Sequence, residues 1–122
     1  MRAIRITAGG VSVAAELNDS RAAAAIAAKL PITAKAETWG DEIYFGLPLS
    51  APSDAPQETV ALGDLGYWPP GRAFCIFFGP TPMSTGDEIR PASAVTVVGR
   101  VSGDARAFKK VRAGTGVTIE AV

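Results

Sequence analysis

Residues 73–78 read AFCIFF, and this stretch carries the fold decision. It is apolar at every position and is preceded by a Pro69-Pro70-Gly71 turn signal. Six such residues are too short for a stable helix and suit a strand buried on both faces. The pattern leaves open which face lines the interior. Moving outward, Leu65 to Trp68 and Val60 to Leu62 read as strand pieces before it. Residues 79–93, rich in Pro, Thr, Ser and Gly, read as a long loop after it. Ala94 to Val101 is a second apolar strand, and Gly103 to Arg112 a short helix with Asp104 near its N-cap. In that helix Phe108 and Val111 are three apart and can face the core. Val117 to Val122 closes the chain as a strand.

The N-terminal half continues the pattern. Residues 2–16 predict a hairpin, with Ile4, Ile6, Val11, Val13 and Ala15 in alternation around Ala8-Gly9-Gly10. Asn18-Asp19-Ser20 offers N-caps for an alanine-rich helix from Ala22 to Leu30, which Pro31 stops. Ile32 to Thr38 is expected to pair with Glu42 to Gly46 around Gly40-Asp41. Ser50 to Gln57 holds two prolines, reads as a loop, and is expected to be the most mobile part. About eight or nine short strands and two short helices favour a closed barrel or a sandwich over a βαβ fold. The chain is expected to form one domain, residues 1–122.

Composition removes whole classes of chemistry. The 122 residues include no histidine and one cysteine. Ser-His-Asp and Cys-His mechanisms, histidine metal sites and an internal disulfide are therefore excluded. Twelve basic residues balance twelve acidic ones, so there is no general pull toward nucleic acid or anionic lipid. No apolar run approaches the ~20 residues of a membrane span, and MRAIRITAGG lacks the apolar core of a signal peptide. The expected location is the cytoplasm, and the Ala- and Arg-leaning composition points to a bacterial source.

Charge is segregated along the chain. No Lys or Arg lies between Lys35 and Arg72, while residues 100–112 carry five basic side chains against Asp104 alone. Two readings are open: complementary patches that meet in a homo-oligomer, or solvated faces that never meet.

The candidate chemistry is sparse. Cys75 sits inside the apolar run and reads as an inert buried thiol. Asp41-Glu42 and Asp87-Glu88 lack the ligand spacing of a metal loop and read as turn and strand-edge carboxylates. Gly114-Thr115-Gly116 leads into a strand rather than a helix N-terminus, so it is no phosphate loop. No metal or cofactor is implied. The aromatics Tyr44, Phe45, Tyr67, Trp68, Phe74, Phe77 and Phe78 suit core packing or a pocket wall. Arg72 stands before the AFCIFF strand and Arg90 near the far end of the long loop, and either could orient a carboxylate or carbonyl in a cleft.

The stretch 62–82, LGDLGYWPPGRAFCIFFGPTP, resembles the signature of a family of small bacterial and archaeal cyclophilin-like proteins of unassigned function. WGDEIYF at 39–45, VTVVGRV at 95–101 and the terminal VTIEAV fit the same family. The resemblance covers nearly the whole chain. It implies a closed eight-stranded β-barrel with two capping helices. Cyclophilins proper are prolyl isomerases, and their pattern of V-x-G-K-V, helix and I-T-I looks like Val97–Val101, Asp104–Arg112 and Val117–Ile119.

Their catalytic set is not carried over. The F-H-R strand is best matched by Ile43-Tyr44-Phe45, without an arginine. The family's glutamine falls on Ala73, its second pocket phenylalanine on Cys75, and its histidine on Val95. The expectation is thus a binding module for a small molecule or peptide. Its cleft would have Tyr44 and Phe78 as walls, with Thr81, Met83 and Arg90 on the loop side and Arg90 orienting a polar group. The alternatives are a weak isomerase using Arg72 or Arg90, and a structural subunit.

Overall fold

The computed structural model describes residues 1–122. Nine strands form a single antiparallel sheet: β1 (Arg2–Ala8), β2 (Val11–Leu17), β3 (Ile32–Lys35), β4 (Glu37–Thr38), β5 (Glu42–Gly46), β6 (Asp64–Trp68), β7 (Ala73–Phe77), β8 (Thr96–Val101) and β9 (Gly116–Ala121). Their order is β3-β9-β1-β2-β8-β6-β7-β5-β4, which curls into a nearly closed barrel.

The two ends of that order are neighbours in sequence. Ile32–Lys35 pairs with β9, while Glu37–Thr38 pairs with β5. Between them Ala36 is fully buried and exchanges backbone hydrogen bonds with Thr115 and Gly114. The expected hairpin of 32–38 against 42–46 is thus half right. Its first half is drawn to the free edge of β9, where Ile32 meets Ile119 in the core. Counted as one bent strand, 32–38 restores the expected eight.

Strand alternation fills the barrel. Ile4, Ile6 and Ala8 of β1 face Val13, Ala15 and Leu17 of β2. Ile43, Phe45, Leu65, Tyr67, Phe74 and Ile76 complete the far wall. The Phe45 and Phe74 rings stack at 5.4 Å. Each buried side chain of this size stabilises the fold by roughly 1.5–3 kcal/mol.

The helix α1 spans Arg21–Ala27. Ser20 caps it, its hydroxyl accepting from the Ala23 N–H at 3.1 Å, and Ala22, Ala23 and Ile26 are buried. It stops three residues short of Leu30. Lys29 and Leu30 make i→i−3 bonds to Ile26 and Ala27, a tightened last turn before Pro31. The second helix, Ala105–Lys110, is 3₁₀ rather than α. Ala105, Phe108 and Val111 all turn to the core at a spacing of three, the repeat of a 3₁₀ helix.

The charged runs meet within the chain. Arg100 lies 3.8 Å from Asp64, and Lys109 lies 3.6 Å from Asp41. No helix is long and apolar enough to cross a membrane.

Candidate functional site

The strand β7 is buried on both faces, and the two faces do different work. Phe74 and Ile76 point into the barrel. Ala73, Cys75 and Phe77 point outward and join Val95 and Ile89 in a second, smaller apolar cluster. The alternation continues onto β5, where Ile43 and Phe45 face in while Glu42 and Tyr44 share the outer face with Cys75 and Phe77.

Two long loops wrap this outer face. Residues 48–63 are tied down by the Ala51 N–H donating to the Tyr67 hydroxyl (3.1 Å), by the Asp54 N–H donating to the Thr96 hydroxyl (3.0 Å), and by a bridge between Gln57 and Val95. The loop expected to be the freest is therefore anchored at three points. Residues 79–95 cover the other side, with Ile89 bridged to Val60.

On this outer face, beside the second loop, lies a cleft of about 240 Å³, lined by Trp39, Glu42, Tyr44, Trp68, Cys75, Pro91, Ala92 and Val95. Trp68 is fixed from two sides. Its indole N–H donates to the Ser93 hydroxyl at 2.7 Å. Its ring lies so close over Gly71 that a Cβ there would stand 2.8 Å from it, closer than packed carbons tolerate. The YWPPG turn thus holds the Trp68 indole in place beside the cleft.

Glu42 is the chemically distinct group. It is 5% exposed and sits among apolar and aromatic neighbours with no Lys or Arg lining the cleft. Burial raises its carboxyl from 4.5 to about 7, and the adjacent Cys75 thiol pulls it only part of the way back. Burial and the nearby carboxylate push the Cys75 thiol well above its ordinary value, so it is no nucleophile at neutral pH.

Of the six side chains expected to form a cleft, Tyr44 alone lines this one. Phe78 is 3% exposed, belongs to the barrel core and packs against Phe108 with ring centroids 6.2 Å apart. It continues the alternation of β7, on the same face as Phe74 and Ile76. Arg72 is exposed, in the left-handed region at φ 47°, and ends the 3₁₀ turn Pro69–Gly71. Thr81 is buried, but its hydroxyl is consumed by the Arg90 carbonyl oxygen and the Met83 N–H. Met83 is 50% exposed.

Arg90 is committed to Glu88, with Nε 2.8 Å from one carboxylate oxygen and Nη2 3.2 Å from the other. That pairing holds Glu88 down at about 2. The polar residues of 81–90 thus knot their own loop, and its neighbours Pro91 and Ala92 reach the cleft instead.

The positions matched by resemblance fare differently. Cys75 and Val95 line the cleft, and Ala73 lies in the same cluster. Phe45, aligned with the family's arginine, faces the core, and the cleft positions of that strand are Glu42 and Tyr44. Residue-level reading missed Glu42, Trp39, Pro91 and Ala92. The signal for Glu42 was available: it lies two residues before Tyr44, hence on the same strand face. No group of three His, Cys, Asp or Glu side chains comes together that could hold a metal ion.

A curled antiparallel sheet with a cleft on its outer wall beside a long loop is the arrangement of a cyclophilin-like barrel. The chain belongs to the cyclophilin-like family, whose model matches residues 2–120. Its structure is similar to the solution structure of the hypothetical protein AF2241 from Archaeoglobus fulgidus. The two share 38% identity and a TM-score of 0.84, over 99% of this chain and 95% of that one. Comparison with curated proteins finds no match.

Proposed function

We propose that this protein is a small-molecule binding module that kept the cyclophilin-like barrel without prolyl isomerase chemistry. The observation carrying the reading is the cleft: lined by three aromatic rings and several apolar side chains, with one buried carboxyl and no basic side chain. Sites of this kind take their affinity from apolar and aromatic contact and their orientation from a few polar groups. A volume of about 240 Å³ is below the ~300–1,000 Å³ of sites for drug-sized ligands. We take the occupant to be a small molecule, or one side chain of a peptide whose remainder would lie outside the cleft.

Isomerisation makes a different demand. The barrier for a twisted amide is ~18–20 kcal/mol, and lowering it calls for a strong donor aimed at the amide as conjugation is lost. Arg90 is clamped to Glu88, and Arg72 lies outside the cleft. Neither supports the relocated-arginine alternative. The single cysteine, unpaired and buried, fits a reducing compartment, so the reading places the protein in the cytoplasm of a bacterial or archaeal cell.

Two measurements test the reading. A panel of small molecules is titrated into ¹⁵N-labelled protein while the indole N–H signals of Trp39 and Trp68 are followed. Members of the panel that bind are expected to move both signals, and a panel that moves neither overturns the proposal. NMR exchange spectroscopy on an X-Pro peptide is expected to show no acceleration by catalytic amounts of folded protein. Acceleration would establish the isomerase alternative.

A further inference from the structure

We propose that the ligand of this cleft is a cation: a small organic ammonium group seated among Trp39, Tyr44 and Trp68 against the Glu42 carboxylate. The inference rests on the small-molecule reading above and names the chemistry of its ligand.

The first argument is an imbalance. A carboxyl in an apolar environment is ordinarily paired with Lys or Arg, because an unpaired buried charge is costly. Glu42 is buried, yet no basic side chain lines its cleft. Every neighbouring charge is spoken for or acidic. Asp41 is paired with Lys109, and the Arg90 guanidinium with Glu88. Glu37 lies opposite Tyr44 on β4 and is exposed. The titratable groups in the cleft besides Glu42 are Tyr44 and Cys75, neither of which supplies a positive charge. A cationic ligand would bring the partner that the fold withholds.

The second argument is the aromatic wall. Ring faces carry a negative quadrupole and attract ammonium groups, Trp most strongly. Two of the three rings here are Trp. The Trp68 N–H is already spent on Ser93, so that indole offers a ligand its π face rather than a donor. An anion would meet the Glu42 carboxylate with no compensating donor of comparable strength.

The test compares a charged probe with its neutral isostere. Choline and 3,3-dimethylbutan-1-ol have the same shape and differ by the charge. Each is titrated into ¹⁵N-labelled protein with the two indole signals as readout. At about pH 8, where Glu42 is ionised, choline is expected to bind about tenfold tighter. At about pH 5.5, where Glu42 is neutral, the preference is expected to shrink several-fold. Glu42→Gln is expected to bind the alcohol as before and to lose most of the preference for choline. Equal binding of the two probes at the higher pH, or tighter binding of the alcohol, overturns the cation inference and leaves the small-molecule reading standing. If neither probe moves either indole, the cation inference falls, and the panel above separately decides the wider reading.

Discussion

A single carboxyl shows how far one residue departs from its ordinary behaviour in this molecule. Glu42 has a folded-state value of about 7 against 4.5 in a solvated chain, so the folded protein holds its proton more tightly than the unfolded one. The neutral acid's contribution to stability is full below about pH 4.5 and is lost as pH rises through about 7. At about 1.4 kcal/mol per unit the loss is about 3 kcal/mol. Glu42→Gln should remove this slope and be the more stable protein at about pH 8, while near pH 4.5 the two should lie close together. Urea denaturation at the two pH values checks this, and identical pH dependence in both proteins would sink it. Its strand face was legible in the sequence, two residues before Tyr44, and its burial was not. Asp41-Glu42 reads as a turn-edge pair, which describes Asp41, ion-paired at the surface. Glu42 differs because loops from residues 79–95 close over its strand face, and nothing in the local pattern announces a cover that distant. Thr81 and Arg90, the residues expected on the loop side, bond instead within their own loop.

Elements were more legible than sites, because they follow from periodicity and punctuation. The first hairpin, the AFCIFF strand and the Asp104-capped helix all stand where alternation and caps put them. What alternation cannot supply is partner choice. Ile32–Lys35 has a strand pattern that suits either neighbour, and the unfilled edge of β9 took it. The strand β8 shows how tightly such pairings can be specified. Leu65 pairs with Gly99 but Gly66 pairs with Val97, so one extra residue bulges there. The Asn18 side-chain amide donates to the Val97 carbonyl oxygen at 2.8 Å, and the Asn18 backbone N–H to that of Val98, also at 2.8 Å. At Gly99 the neighbouring strand passes so near that any Cβ would run into the Glu16 carbonyl. Gly99→Ala is therefore expected to cost about 3 kcal/mol or more, since backbone on both sides must move. A denaturation midpoint matching the parent protein would refute that close approach.

At the scale of the whole molecule, the separated acidic and basic runs balance each other inside one chain, through Arg100 with Asp64 and Lys109 with Asp41. Exposed pairs of this kind add only about 0–1 kcal/mol each. The exposed large apolar side chains are Met1, Leu62, Met83 and Val122, single residues spread along the chain. The protein is therefore expected to sediment as a 12.6 kDa monomer at low and high salt alike. A mass that rises with concentration would contradict this and revive a subunit role. The bent segment 32–38 bears on the same behaviour from another direction. Sheet proteins are prone to join edge to edge, because an outermost strand offers a row of unpaired backbone groups to any passing chain. Here the two outermost strands are four and two residues long and sit on either side of Ala36. An incoming strand finds no run long enough to grip. One seven-residue stretch thus completes the barrel and also guards against aggregation.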